Sequence, residues 1–172
     1  MLEYCLAFFF PFFMAYAAAS DMVSMTISNK ISLALMSGFM IFAFLIGMNY
    51  ETMLWHWGIF GIVLAAGFVL FAIGVVGGGD AKLAACTALW LGPEHSMSYF
   101  TVSALLGAFL TLFLMRIRYQ PLPDKIVNVE WIARLYRADS GIPYGIVLGI
   151  GAILVYPQTP WMQYVFKSAA TL

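Results

Sequence analysis

The chain has 172 residues, 63% of them hydrophobic and only 9% charged, with a mean hydropathy of +0.93. Soluble domains carry about a quarter charged residues, so this composition excludes a water-soluble globule. A net charge of zero and a pI near 6.7 leave no basic footprint for nucleic acid. Cys5 and Cys86 lie far apart in apolar stretches and form no CxxC pair, so neither a metal knuckle nor a disulfide framework is indicated.

Residues 4–20, 31–50, 52–79, 96–115 and 140–166 contain no Asp, Glu, Lys or Arg. Each run reaches roughly the 17–25 residues that cross ~30 Å of hydrocarbon as a helix. In chain order, the first predicted helix covers 2–20. Residues 17–20 look like a signal-cleavage site, but Glu3 is the only charge ahead of them and no basic n-region is present, so the helix is expected to be retained. Helices follow at 31–48 and 54–76. The stretch 80–92 is short for a span, since about 13 residues rise only ~20 Å. It fits a truncated span or a partly re-entrant segment, and it is counted as a crossing because the charges then fall into place. A helix at 97–115 and one beginning at 143–157 complete an all-α, polytopic membrane protein of about six transmembrane helices, in a single domain over 1–172.

With six crossings, Lys30, Lys82, Arg116, Arg118, Lys125, Arg134 and Arg137 collect on one side and only Lys167 lies opposite. The positive-inside rule makes that side cytoplasmic and places both termini outside. Without the crossing at 80–92, the arginines after 115 would face away from Lys30 and Lys82. Within the cytoplasmic segment 116–141, Val127, Trp131, Ile132, Leu135 and Tyr136 share one side of a helical wheel. Glu130, Arg134 and Arg137 share the other, which predicts an amphipathic helix over 123–139 lying on membrane lipids.

The acidic residues become informative on this topology. Glu3, Glu51 and Glu94 belong to the outer side, and Asp124, Glu130 and Asp139 to the cytoplasmic loop. Only Asp21 and Asp80 stand at junctions between membrane helices and the cytoplasm, where an ionisable group is costly and often functional. Two carboxylates that approach one another can share a proton. One then takes a proton from water while the other donates to a substrate carbonyl. Gly77, Gly78 and Gly79 precede Asp80. They can adopt positive φ and have no Cβ, so an extended substrate backbone or a neighbouring helix can come close; taken alone, they read more simply as a break after the third helix.

Three stretches together resemble the type IV prepilin peptidase family of membrane aspartic proteases. Asp21 followed by Ile27, Ser28 and Asn29 is similar to the family's Asp, basic stretch and Ile-Pro-Asn. The run Gly77-Gly78-Gly79-Asp80-Ala81-Lys82-Leu83 matches its GxGDxKL signature, and Ile142-Pro143-Tyr144-Gly145 is similar to the Pro-Tyr-Gly that opens its last helix. The resemblance implies Asp21 and Asp80 as the catalytic pair and Gly77 and Gly79 as framing glycines. Lys82, Asn29, Pro143 and Tyr144 would support the site. It further implies prepilin and pseudopilin substrates, cleavage of a basic leader just before the substrate's hydrophobic helix at the cytoplasmic face of a bacterial inner membrane, and no cofactor. Larger members carry an insertion with paired CxxC motifs and methylate the new N-terminus. Nothing here corresponds to that insertion, so methyl transfer is not expected. The short form is similar to the peptidases of tight-adherence (Flp) pilus systems, although Ser28 stands where proline is usual and 22–26 lacks basic residues. Archaeal preflagellin peptidases are a related alternative.

Other chemistries fit less well. His56 and His95 fall near the predicted outer ends without zinc-site spacing. Ser20 and Ser24 lack a His or Lys to activate them. A small transporter or scaffold using Asp21 and Asp80 as ion or proton ligands would usually hold them near the bilayer midplane. A presenilin-like protease would place its first aspartate within a span.

Overall fold

Apolar runs become helices here wherever a cap or breaker bounds them. The structure, a computed structural model, describes residues 1–120, 129–137 and 139–169. Helix α1 spans Leu2–Ser24, so Asp21 lies inside its last turn, and Met25 ends it in the left-handed region at φ 55°. Helix α2 spans Asn29–Leu45, beginning before the expected residue 31 because Ser28 serves as its N-cap. The Ser28 hydroxyl accepts from the Lys30 N–H at 3.3 Å, satisfying one of the orphan donors of the first turn. Asn49 caps α3, Tyr50–Ala72, in the same way, and Gly74 at φ 76° closes the turn beyond it.

Helix α4 runs over Gly78–Arg118 with one break at Gly92, where φ is 72° and ψ is 174°. Glycine takes this conformation without strain, and a Cβ there would lie 2.8 Å from the His56 ring. Pro93 follows, suited to the first turn of a new helix because its missing N–H is an orphan there anyway. The two arms fold back on one another: Ala84 of the first and Phe100 of the second line one cavity, and Tyr99 lies beside Thr87. In a straight helix, residues 12 apart would be separated by about 18 Å. The expected helices at 80–92 and 97–115 thus correspond to the two arms of α4.

Helix α5 covers Glu130–Tyr136. It is a short part of the amphipathic helix expected over 123–139; residues 121–128 and 138, including Asp124, Lys125 and Val127, lie outside the described residues. Arg118 ties this segment down, donating to the carbonyls of Leu135, Ser140 and Gly141 at 2.9–3.0 Å. The expected last span is broken. Helix α6, Tyr144–Val155, passes through a 3-10 turn at Tyr156–Gln158 and bends by 50° into α7, Pro160–Ala169.

Helices α1, α3 and α4 are long and apolar enough to cross a membrane, and the bent pair α6 and α7 makes a fourth candidate. Helix α2 is a shorter apolar helix of 17 residues. The chain is an all-helical, multi-pass membrane protein, with no strand among the described residues. Its aromatic core sits away from the aspartates. Trp90 donates to the Leu35 carbonyl at 2.9 Å, Trp161 to that of Trp90 at 2.7 Å, and Tyr156 to that of Leu6 at 2.8 Å. These bonds satisfy the polar ends of buried aromatic rings, fastening α2 and α7 to the first arm of α4 and the 3-10 turn to α1. Helix α3 fully buries only His56 and Gly67, packs Met53, Trp57 and Phe60 on the core, and leaves much of its remaining surface for lipid.

Candidate active site

The site is made where three helix ends meet. Asp21 is buried in the last turn of α1. Its Oδ2 accepts the backbone N–H of Gly145 at 2.7 Å. Gly145 is in the first turn of α6, immediately after Pro143 at the N-cap and Tyr144. The carboxylate therefore serves as a cap borrowed from another helix, at the positive end of the α6 dipole. A Cβ on Gly145 would lie 2.8 Å from both Cβ and Oδ2 of Asp21, so only glycine allows this approach.

Asp80 occupies the first turn of α4, whose N-cap is Gly77. It is half-buried and turns back toward that cap, where a Cβ on Gly77 would sit 2.9 Å from its Oδ2. Gly79 packs on Ile27 in the loop between α1 and α2, and a Cβ there would meet the Ile27 Cβ at 3.2 Å. Of the two freedoms that glycine offers Gly77–Gly79, positive φ is not used. Gly77 has φ −68°, Gly78 and Gly79 are helical, and the left-handed glycines are Gly47, Gly74 and Gly92. It is the missing Cβ that these residues contribute.

Asp21 and Asp80 line one pocket of about 240 Å³ with Met25, Thr26, Ile27 and the three glycines. Asp21 is near enough for its charge to act on Asp80. A water molecule's share of the liquid is about 30 Å³, so the pocket has room for water together with a peptide group.

The supporting residues divide. Lys82 Nζ donates to Asn29 Oδ1 at 2.8 Å, joining the start of α4 to the start of α2 on the exposed rim. Both side chains point at each other and not at the carboxylates. Pro143 is buried at the head of α6, and the Tyr144 hydroxyl lies 3.3 Å from Thr111 Oγ1 on the second arm of α4. Tyr144 shares a second, apolar cavity with Asp80. The residues that sequence reasoning did not single out are Gly145 and the wall formed by Met25, Thr26 and Ile27. Gly145 closes the same Pro-Tyr-Gly stretch that drew attention to Pro143 and Tyr144, but its backbone contact with a residue 124 positions away leaves no local trace.

The histidines are elsewhere. His56 is buried with Nδ1 2.6 Å from the Leu89 carbonyl, and it lines a pocket with His95, Glu94 and Gly92 at the α4 break. Among the described residues, no group of three or more His, Cys, Asp or Glu is placed to hold a metal ion.

Residues 8–112, more than half of the chain, match the type IV leader peptidase family. The chain belongs to that family. The match includes Asp21 and the whole of residues 77–83, and it supports a leader peptidase activity, hence a hydrolase, for this family member. No match was found among curated proteins or among solved structures.

Proposed function

We propose that this leader peptidase works through an aspartyl dyad, Asp21 and Asp80, removing the leader of Flp-type type IV prepilins and pseudopilins at the cytoplasmic face of a bacterial inner membrane. The observation that carries the reading is that the two carboxylates, one on α1 and one on α4, open onto a single pocket. One carboxylate takes a proton from a water held between them, and the water oxygen attacks the scissile carbonyl carbon. The other, protonated, gives its proton to the carbonyl oxygen as negative charge develops there. Collapse of the tetrahedral adduct breaks the C–N bond, and the proton taken from water passes to the leaving amine. No cofactor is called for and no methyl transfer is included.

The same reading places both termini outside and counts six crossings: α1, α2, α3, the two arms of α4, and α6. The fold-back at Gly92 supports that count. Both aspartates lie in terminal helical turns, which favours chemistry at the interface over ion passage through the midplane. The testing experiment is cleavage of a co-expressed prepilin by wild type, Asp21→Asn and Asp80→Asn. Wild type should release the leader and neither variant should, with all three equally inserted. Persistent cleavage by either variant would refute the dyad.

A further inference from the structure

Asp80 belongs to two spaces at once. On one side is the polar pocket shared with Asp21. On the other is an apolar cavity of about 490 Å³, walled by α3, the loop after it, both arms of α4 and the start of α6. Its small residues are Ala66, Gly67, Ala81 and Ala84, its large ones include Phe100 and Leu148, and among the described residues Asp80 is the one charged residue of its wall. Helices α3 and α4 cross closely at one wall of this space: a Cβ on Gly67 would lie 2.9 Å from that of Ala81. The volume is within the range of about 300–1,000 Å³ typical of ligand sites.

We propose that this cavity takes the first apolar side chains of the substrate beyond the cleaved bond, and that Ala84 and Ala66 limit their size; the proposal rests on the peptidase reading above. A carbonyl held between Asp21 and Asp80 sends its chain away in two directions. The side toward Thr26 and Gly77–Gly79 is polar and bordered by loop and helix-end backbone, matching an extended polar leader. The opposite side is this apolar space. A groove of about 640 Å³ between the second arm of α4 and α6 shares Phe100, Tyr144 and Leu148 with it, so the apolar track continues along the membrane helices. Its floor includes Gly107 and Ala108, small residues that let a helix approach closely. A lipid chain is the competing occupant. It offers nothing polar to the Asp80 end of the cavity, where an ionisable group beside hydrocarbon is costly, whereas a substrate backbone does.

The test uses full-length protein reconstituted in phospholipid vesicles with full-length leader substrates carrying Ala, Leu, Phe or Trp just after the cut. Ala84→Phe, or Ala66→Phe on the exposed face of α3 if the first does not fold, should lower kcat/KM for the Phe and Trp substrates by about tenfold or more relative to the Ala substrate. Leu148→Ala should shift the preference the other way. Equal losses on all four substrates, or ratios unchanged in every folded variant, overturn the cavity assignment while the peptidase reading stands. Ratios that follow the acyl-chain length of the vesicles and not the substrate side chain make lipid the occupant and also overturn it. Failure of wild type to cleave any of the four would refute both readings.

Discussion

Replacing Gly145 by Ala perturbs the site through one atom. The residue is helical with ordinary φ, so the backbone tolerates alanine, and helix propensity alone would stabilise α6 by up to about 1 kcal/mol. The added Cβ, however, would lie 2.8 Å from the Cβ and Oδ2 of Asp21, where ordinary contact begins at 3.4 Å. Asp21 cannot swing clear, because its own Cβ is among the atoms struck. The carboxylate must shift by roughly half an ångström or α6 must lift, and either change stretches the 2.7 Å bond from the Gly145 N–H. A hydrogen bond to a carboxylate contributes about 1.5–3 kcal/mol, which in an activation barrier corresponds to roughly 10- to 150-fold in rate. Cleavage by Gly145→Ala should therefore fall about 10- to 150-fold in kcat, with little change in KM. Thermal unfolding in detergent should stay near that of wild type. Full activity would refute the role assigned to this contact, and a loss of activity that merely follows a loss of folded protein would refute the claim that the effect is local to Asp21.

Other outcomes follow from the same geometry. Gly92→Ala combines a left-handed backbone with a Cβ 2.8 Å from the His56 ring, so it should lower stability by about 2 kcal/mol or more in detergent unfolding. His56→Ala in the same chain should relieve only the steric part. Arg118→Ala removes the donor to three carbonyls ahead of α6; limited proteolysis should cut faster within residues 129–143, and cleavage activity should fall with it. The exposed Lys82–Asn29 bond should show a coupling of about 1 kcal/mol or less in a double-mutant cycle on stability, and Lys82→Ala should retain most of the activity. Chelators should leave the activity intact; loss in EDTA restored by zinc would replace the dyad with a metal mechanism.

Much of the candidate site was legible in the residues because it obeys local rules. A carboxylate directly after an apolar run is conspicuous at Asp21 and again at Asp80. Ser28 illustrates a middle case. It stood out as a departure from the proline of the family pattern, and only the backbone around it shows that its hydroxyl caps α2. The triple glycine is legible as an unusual feature, but its residues do not say which of glycine's two freedoms is used. Its role depends on what lies opposite each missing Cβ, namely Asp80 itself for Gly77 and Ile27 for Gly79.

Hydropathy and charge by themselves determined that this chain is helical and membrane-embedded, with two carboxylates at helix ends, because burial in hydrocarbon selects helices and expels charge one residue at a time. Only the tertiary structure decided that Asp21 and Asp80 share a pocket, that Gly145 holds Asp21, that Lys82 turns to Asn29, and that the last apolar run bends by 50° instead of crossing straight. Each of these depends on which faces of distant helices meet, and that is set by the fit of side chains and by missing Cβ atoms across a bundle, a property that no single stretch of the chain contains.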